Sequence, residues 1–138
     1  MDSERLDEIA ERLRDVGTAI PDLELLILFG SHATGRARAG SDVDVAVRCA
    51  GAPDLDALYI ALAPRFRSDR LDLVDLRRAG PTLAFQVARA GRLLFERQPG
   101  AFREFQSLAS RRYCDTEKLR RAQRRAIQVA LERRGLHT

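Results

Sequence analysis

Two aspartates separated by one residue, Asp42 and Asp44, are the side chains of this sequence best suited to chemistry. They lie in the alternating stretch DVDVAV (42–47), whose valines predict a β-strand with one apolar face. Side chains two residues apart on a strand point the same way, so both carboxylates share a face, where like charges repel. A divalent cation offsets that repulsion, and Mg²⁺ prefers oxygen ligands of this kind. The pair therefore predicts a metal site.

A third carboxylate on a neighbouring strand would complete a site for two ions about 3.5–4 Å apart. The stretch RLDLVDL (70–76) is a further predicted strand and holds two aspartates. Asp72 is the candidate ligand. Asp75 is the alternative, although a regular strand points the two side chains to opposite faces.

The pair Gly30-Ser31 is separated from Asp42 by ten residues and follows a nearly continuous apolar run, LELLILF (23–29), that predicts a buried strand. Because Gly30 lacks side-chain bulk, its backbone can approach a ligand closely. Ser31 offers a hydroxyl and an amide where a helical turn is expected to begin, a position that favours phosphate. The simpler alternative is that Ser31 only caps this turn.

The intervening segment, HATGRARAGS (32–41), is small, polar and basic, which predicts a loop or a short helix. Arg36 and Arg38 lie in it and are candidates to meet a polyphosphate tail, with ordinary solvated arginines as the alternative. His32 is more typical of a loop residue than of a ligand or a catalytic base.

The elements that must position these residues alternate between helix and strand, which predicts one α/β domain over 1–138 with a small mixed sheet flanked by helices. The first helix is expected to end at Gly17, and the last to be capped by Asp115 or Thr116. The expected strands are 23–29, 42–47, 70–76 and 92–96, and the expected helices are 6–16, 54–66, 81–90 and two C-terminal ones (about 99–135), near 100–112 and 115–134.

Composition limits the class of protein. With 45% hydrophobic and 32% charged residues among 138, the chain suits a globular domain with a charged surface. It has no apolar run near the roughly 20 residues that span a bilayer, and its acidic N-terminus lacks signal-peptide features, so we expect a cytoplasmic protein. Cys49 and Cys114 have no zinc-type spacing and are expected to be reduced thiols.

The net charge of +4 rests almost entirely on arginine, since Lys118 is the only lysine. Eight arginines fall in the last 28 residues. Such a segment favours, in order, the charged outer face of a packed helix, docking to an acidic protein and direct RNA contact. RNA comes last because aromatic side chains that stack on bases are scarce here.

The string GSHATGRARAGSDVDVAV resembles the nucleotidyltransferase superfamily that includes DNA polymerase beta, whose mark is Gly-Ser, ten residues, then Asp-x-Asp. The downstream LDLVDLRRAGPTLAFQVARAGRLLFE is similar to the minimal nucleotidyltransferase (MNT) branch. The resemblance covers about residues 20–113. It implies a polymerase-beta-like fold and transfer of a nucleoside monophosphate from an NTP.

The resemblance also implies roles for single residues. Asp42 and Asp44 would bind two Mg²⁺ ions, and Asp72 would be the third carboxylate, which orients or deprotonates the acceptor hydroxyl. The substrate is expected to be ATP. Nucleotide contacts are expected from Gly30 and Ser31, which precede the loop, and from Arg36 and Ser41 within it. Many family members carry an arginine where this chain has His32.

Minimal nucleotidyltransferases often pair with a HEPN-domain RNase toxin and act as its antitoxin, adding AMP to a toxin tyrosine. The resemblance therefore implies a protein adenylyltransferase with a HEPN partner. Two alternatives remain open. One is a small-molecule nucleotidyltransferase of the aminoglycoside-modifying kind, which usually has an extra acceptor domain. The other is an antitoxin that acts by binding alone, against which the intact Asp42–Asp44 pair argues.

Overall fold

A four-stranded mixed β-sheet organises the computed structural model, which describes residues 3–38 and 40–135. The predicted α/β class is confirmed. The strands are β1 (Leu23–Phe29), β2 (Val43–Cys49), β3 (Leu71–Asp75) and β4 (Arg92–Glu96), and the helices are α1 (Ser3–Arg12), α2 (Val16–Ala19), α3 (Ser31–Thr34), α4 (Leu55–Phe66), α5 (Pro81–Ala90) and α6 (Ala101–Arg133), with a 3₁₀ turn at Leu76–Arg78.

The strand order is β3-β2-β1-β4, with β1 antiparallel to both of its neighbours and β2 parallel to β3. Strand β1 is apolar except for Glu24, because helices cover the sheet on both sides. On one side, Leu26 and Leu28 pack with α1 and α4. On the other, Leu25 and Ile27 pack with α5 and α6. We call this second side the α5–α6 face.

The first helix is shorter than predicted. It ends at Arg12, and Gly17, expected as a stop, lies inside the separate short helix α2. A Cβ at Gly17 would lie 2.9 Å from the Phe95 ring, so this glycine permits close packing and does not end the helix. Strand β2 also runs two residues further than predicted, to the buried Cys49.

The prediction of two C-terminal helices was wrong, because α6 is one continuous helix of 33 residues. No glycine or proline falls between Ala101 and Arg133, so nothing in the backbone chemistry stops the helix. The expected cap does not form: Thr116 Oγ1 instead donates to the Arg112 carbonyl oxygen at 2.8 Å, a mid-helix contact. Within 3–38 and 40–135, no helix has the length and apolarity needed to cross a bilayer.

Candidate active site

Three aspartates come together at one end of the sheet, on the α5–α6 face. Strands β2 and β3 pair in parallel with Asp44 opposite Asp72, so the two side chains are same-face neighbours on strands about 4.8 Å apart. Asp42 lies just before β2. Asp44 is half-buried, whereas Asp42 and Asp72 are exposed. Both open carboxylates therefore have room to change rotamer.

Asp75 lies away from this group, beside Val47 at the far end of the parallel pair. Its Oδ1 accepts a hydrogen bond from the Arg77 backbone amide at 3.1 Å and caps the 3₁₀ turn. The two candidates for the third carboxylate thus have different surroundings. Asp72 lies beside Asp44, whereas Asp75 caps a turn.

The electrostatics of Asp44 reflect its surroundings. Burial raises the pKa of the Asp44 carboxyl, and the negative charges of Asp72 and Asp42 raise it further, while His32 acts in the opposite direction. The ionised form of Asp44 is therefore disfavoured in the folded protein. A bound cation would reverse this effect, because it lowers the free energy of all three carboxylates at once.

Gly30 ends β1 directly against Asp44. It adopts φ +74°, a conformation that side-chain-bearing residues rarely take, and a Cβ at this position would collide with Asp44 Oδ2 and lie 3.2 Å from Asp44 Cγ. Ser31 follows as the first residue of α3. The first amides of a helix have no partner within it, so they are available near the carboxylates.

The loop after α3 is held by its own backbone. The Arg36 amide donates to the Ser31 carbonyl at 2.9 Å, and the Arg38 amide donates to Ser41 Oγ at 2.9 Å. His32 Nε2 donates to the Ser41 carbonyl at 3.2 Å. His32 therefore holds the loop against α3, a role that no sequence pattern reveals. The Arg36 side chain is exposed.

A basic cleft of about 680 Å³ opens beside this loop, between α1, the end of α4 and the start of β3. It shares His32 and Ser41 with the loop but contains none of the three aspartates. Sequence reasoning identified only one of its arginines, since the others come from distant segments. The arginines lining the cleft are Arg5, Arg12, Arg38, Arg67 and Arg70, with Glu8 and Asp69 opposing them.

Among the described residues, no three His, Cys, Asp or Glu side chains already enclose a common metal position. Asp42, Asp44 and Asp72 share a face without converging on one point. Even so, the donor set is the one that Mg²⁺ favours, which is a few carboxylates with room left for phosphate oxygens and water.

Comparison with known proteins points to one family. The family described as polymerase beta, nucleotidyltransferase matches residues 11–100. A protein adenylyltransferase MntA from Aphanizomenon flos-aquae is 31% identical over 151 residues, which cover 96% of this chain and 99% of that relative. The MntA protein of Shewanella oneidensis is 41% identical over 95 residues, which cover 67% of this chain and 66% of the relative.

Solved structures agree. A toxin–antitoxin structure with AMP-PNP contains a chain that is 32% identical with a TM-score of 0.60, covering 92% of this chain and 98% of its own. A structure of the tri-AMPylated Shewanella oneidensis HEPN toxin in complex with MNT antitoxin gives 30% identity and a TM-score of 0.56, covering 96% and 99%. The resemblance drawn from the Gly-Ser and Asp-x-Asp spacing is confirmed, and the chain belongs to the polymerase beta nucleotidyltransferase family.

Proposed function

We propose that this protein is a Mg²⁺-dependent protein adenylyltransferase that transfers AMP from ATP to a tyrosine of a HEPN-domain toxin and so neutralises the toxin. The observation that carries the proposal is the contact of Gly30 with Asp44, beside Asp72, at an open end of the sheet. The similar proteins supply the reaction class: the MntA relatives are protein adenylyltransferases, and one neighbouring complex holds a tri-AMPylated HEPN toxin.

ATP is the nucleotide that the comparisons favour, since one similar structure was solved with AMP-PNP. In this chain Gly30 and Ser31 would bind the triphosphate, because the backbone is open at the glycine and the amides of α3 begin there. Arg36 and Ser41 remain predicted nucleotide contacts on the adjoining loop. Arg38 lines the basic cleft and would counter phosphate charge there.

Asp42, Asp44 and Asp72 would hold the metal, on the face where their own repulsion is greatest. When bound, Mg²⁺ would polarise the α-phosphate and offset the negative charge that develops there. Asp44 is the half-buried member of the set and would fix its position, while the exposed Asp42 and Asp72 adjust around it.

In the proposed reaction the acceptor hydroxyl oxygen bonds to the α-phosphorus as the bond from that phosphorus to the α–β bridging oxygen breaks. Pyrophosphate leaves, and Asp72 takes the hydroxyl proton. Asp72 suits this role because it is exposed on the open side of the site, where an acceptor arrives. The arginines of the neighbouring loop stabilise the charge of the transferring group.

The direct test is label transfer. We expect the protein, incubated with Mg²⁺, α-labelled ATP and a purified HEPN-domain protein, to label that protein. The Asp42→Ala/Asp44→Ala variant should lower the rate by at least about 100-fold, because charge stabilisation at the phosphorus is lost. Gel autoradiography and mass determination of the acceptor provide the measurement.

The other outcomes separate the alternatives. Pyrophosphate release with no labelled protein would indicate a small-molecule acceptor. Neutralisation of the toxin by the double variant as efficiently as by the unchanged chain would show that binding alone suffices. Labelling that survives in the double variant would refute the assignment of the aspartates.

The third carboxylate is tested by a matched pair of substitutions. Asp72→Asn should lower the transfer rate at least about 100-fold, because the amide accepts no proton and binds a cation poorly. Asp75→Asn should leave the rate within about twofold, since asparagine still caps the 3₁₀ turn. Equal losses in both variants, measured as kcat at saturating ATP, would contradict the assignment to Asp72.

Substitutions at Gly30 and Gly35 distinguish the effect of backbone strain from that of steric collision. Both glycines have positive φ, but only Gly30 lies against Asp44. Alanine should cost about 1–2 kcal/mol of unfolding free energy at Gly35, which is left-handed helical, and about 1–3 kcal/mol at Gly30, whose ψ of −154° belongs to a region nearly confined to glycine. Gly30→Ala should in addition displace the Asp44 carboxylate and lower the transfer rate at least about tenfold. Thermal melts and initial rates check both, and a comparable rate loss in Gly35→Ala would contradict the steric explanation.

The metal proposal predicts an effect on stability in the absence of any reaction. Because the pKa of Asp44 is raised in the folded state, its ionised form destabilises that state at neutral pH. Asp44→Asn should therefore raise Tm by a few degrees without metal, since like-charge strand pairs are worth about 0.2–1 kcal/mol. Mg²⁺ with a non-hydrolysable ATP analogue should raise the Tm of the unchanged chain, and it should raise the Tm of the variant much less. Equal responses in calorimetry would contradict the site.

A further inference from the structure

The second half of α6 extends beyond the rest of the domain. From Cys114 to Arg133 no residue is buried, and the 20 residues measure about 30 Å. The first half differs, because Phe105 and Ala109 are buried against the sheet and Tyr113 stacks on Phe85 of α5 with ring centroids 4.2 Å apart. We call Cys114–Arg133 the overhang. An exposed helix of this length has no packing of its own to stabilise it.

The overhang carries an apolar face. With 3.6 residues per turn, Leu119, Ile127 and Ala130 lie on the same side of α6 as the buried Phe105 and Ala109. Leu119 is 58% exposed and Ile127 is 60% exposed. The side of α6 that packs on the sheet in the first half is therefore uncovered in the second half, where Thr116 and Gln123 lie between the aliphatic side chains.

A shallow hollow of about 200 Å³ lies where the overhang begins. Apolar side chains, among them Leu76, Ala84 and Leu108, line it together with three arginines: Arg48, Arg77 and Arg112. Leu108 is 51% exposed and continues the apolar stripe toward the domain. The hollow and the overhang together form one surface, which we call the α6 surface.

The hollow lies on the same side of the sheet as the aspartates, at the opposite end of β3. Leu76 belongs to the core on the α5–α6 face, and Asp72 points to that face as the same-face neighbour of Asp44. The four-residue separation of Asp72 and Leu76 corresponds to about 13 Å along the strand. A macromolecule seated on the α6 surface therefore has part of its own surface within reach of Asp72.

The charge of the α6 surface indicates which kind of molecule docks on it. Between Arg111 and Arg134 there are nine basic and three acidic side chains, a net +6 that exceeds the +4 of the whole chain. Two copies of this surface would repel each other. The segment has only one aromatic residue, Tyr113, which is already stacked, so it lacks the platforms that hold single-stranded RNA. Aliphatic anchors in a basic setting fit an apolar groove with an acidic rim.

We propose that the α6 surface is where the protein acceptor docks, and that it recognises an acidic, apolar-grooved surface on that acceptor. This inference rests on the proposed function, since the docked protein is the one whose hydroxyl reaches Asp72. The overhang is a recognition element and takes no part in the chemistry. Its loss therefore weakens binding and raises KM for the acceptor, and leaves kcat unchanged.

Paired substitutions on opposite sides of the overhang test the proposal. Leu119→Ser/Ile127→Ser removes the apolar anchors, and Arg121→Ser/Gln128→Ser makes two equivalent changes on the opposite side. The probe is the purified HEPN-domain protein, with Kd measured by biolayer interferometry in the presence of a non-hydrolysable ATP analogue. We expect Kd and KM to rise at least about tenfold in the first variant and less than about threefold in the second.

Circular dichroism should show both variants folded, because all four substituted side chains are exposed. The saturating rate should stay within about twofold of the unchanged chain in each. Equal Kd for Leu119→Ser/Ile127→Ser and the unchanged chain would overturn the proposal. So would a loss confined to Arg121→Ser/Gln128→Ser.

Two further binding measurements test whether RNA or a lipid membrane docks on the α6 surface instead. A fluorescent 30-nucleotide RNA and vesicles of equal phosphatidylcholine and phosphatidylglycerol should bind no more weakly to the Leu119→Ser/Ile127→Ser variant than to the unchanged chain. If either binds through these two residues while the HEPN-domain protein does not, the docking proposal is wrong. Binding without label transfer would contradict the proposed function and leave the docking result valid, whereas transfer with unchanged KM would contradict docking alone.

Discussion

Repulsion between carboxylates on one face of the sheet sets the electrostatics of the candidate site. The β2–β3 register fixes Asp44 beside Asp72, and burial already disfavours charge on Asp44. An isolated strand pair would relieve this by fraying. Here β1, buried on both faces, holds β2 in place through an antiparallel ladder. The strands therefore cannot move apart to separate the carboxylates. The fold thus keeps an unfavourable charge arrangement that a bound cation would make favourable.

Gly30 extends the same constraint to the backbone. Its positive φ and its contact with Asp44 Oδ2 mean that the end of β1 and the start of β2 are fitted to each other at their closest point. His32 then holds the loop to α3 through the Ser41 carbonyl. The ten residues between the Gly-Ser pair and Asp42 therefore form the connection that returns the chain from the end of β1 to the start of β2.

Local pattern was enough to predict β1, α5 and β4, because each is a short run bounded by glycine or proline. It was not enough for α6, where a change of composition suggested a break that no residue enforces. The choice between Asp72 and Asp75 needed the strand register, which a single chain does not encode locally. The basic cleft was missed for the same reason, since Arg12, Arg67 and Arg70 meet only in the folded protein. The nucleotide contacts of Arg36 and Ser41 stay predictions.

The openness of the site bears on the kind of acceptor. Asp42 and Asp72 are exposed, and the basic cleft lies beside the carboxylates and does not enclose them. A small-molecule acceptor binds well only when most of its surface is buried, which an exposed site of this kind does not provide. A protein acceptor brings its own surface to cover the carboxylates and needs contact area elsewhere to hold it. Exposed aliphatic side chains on α6 supply that area. The open site and the uncovered helix therefore both fit an acceptor that is itself a protein.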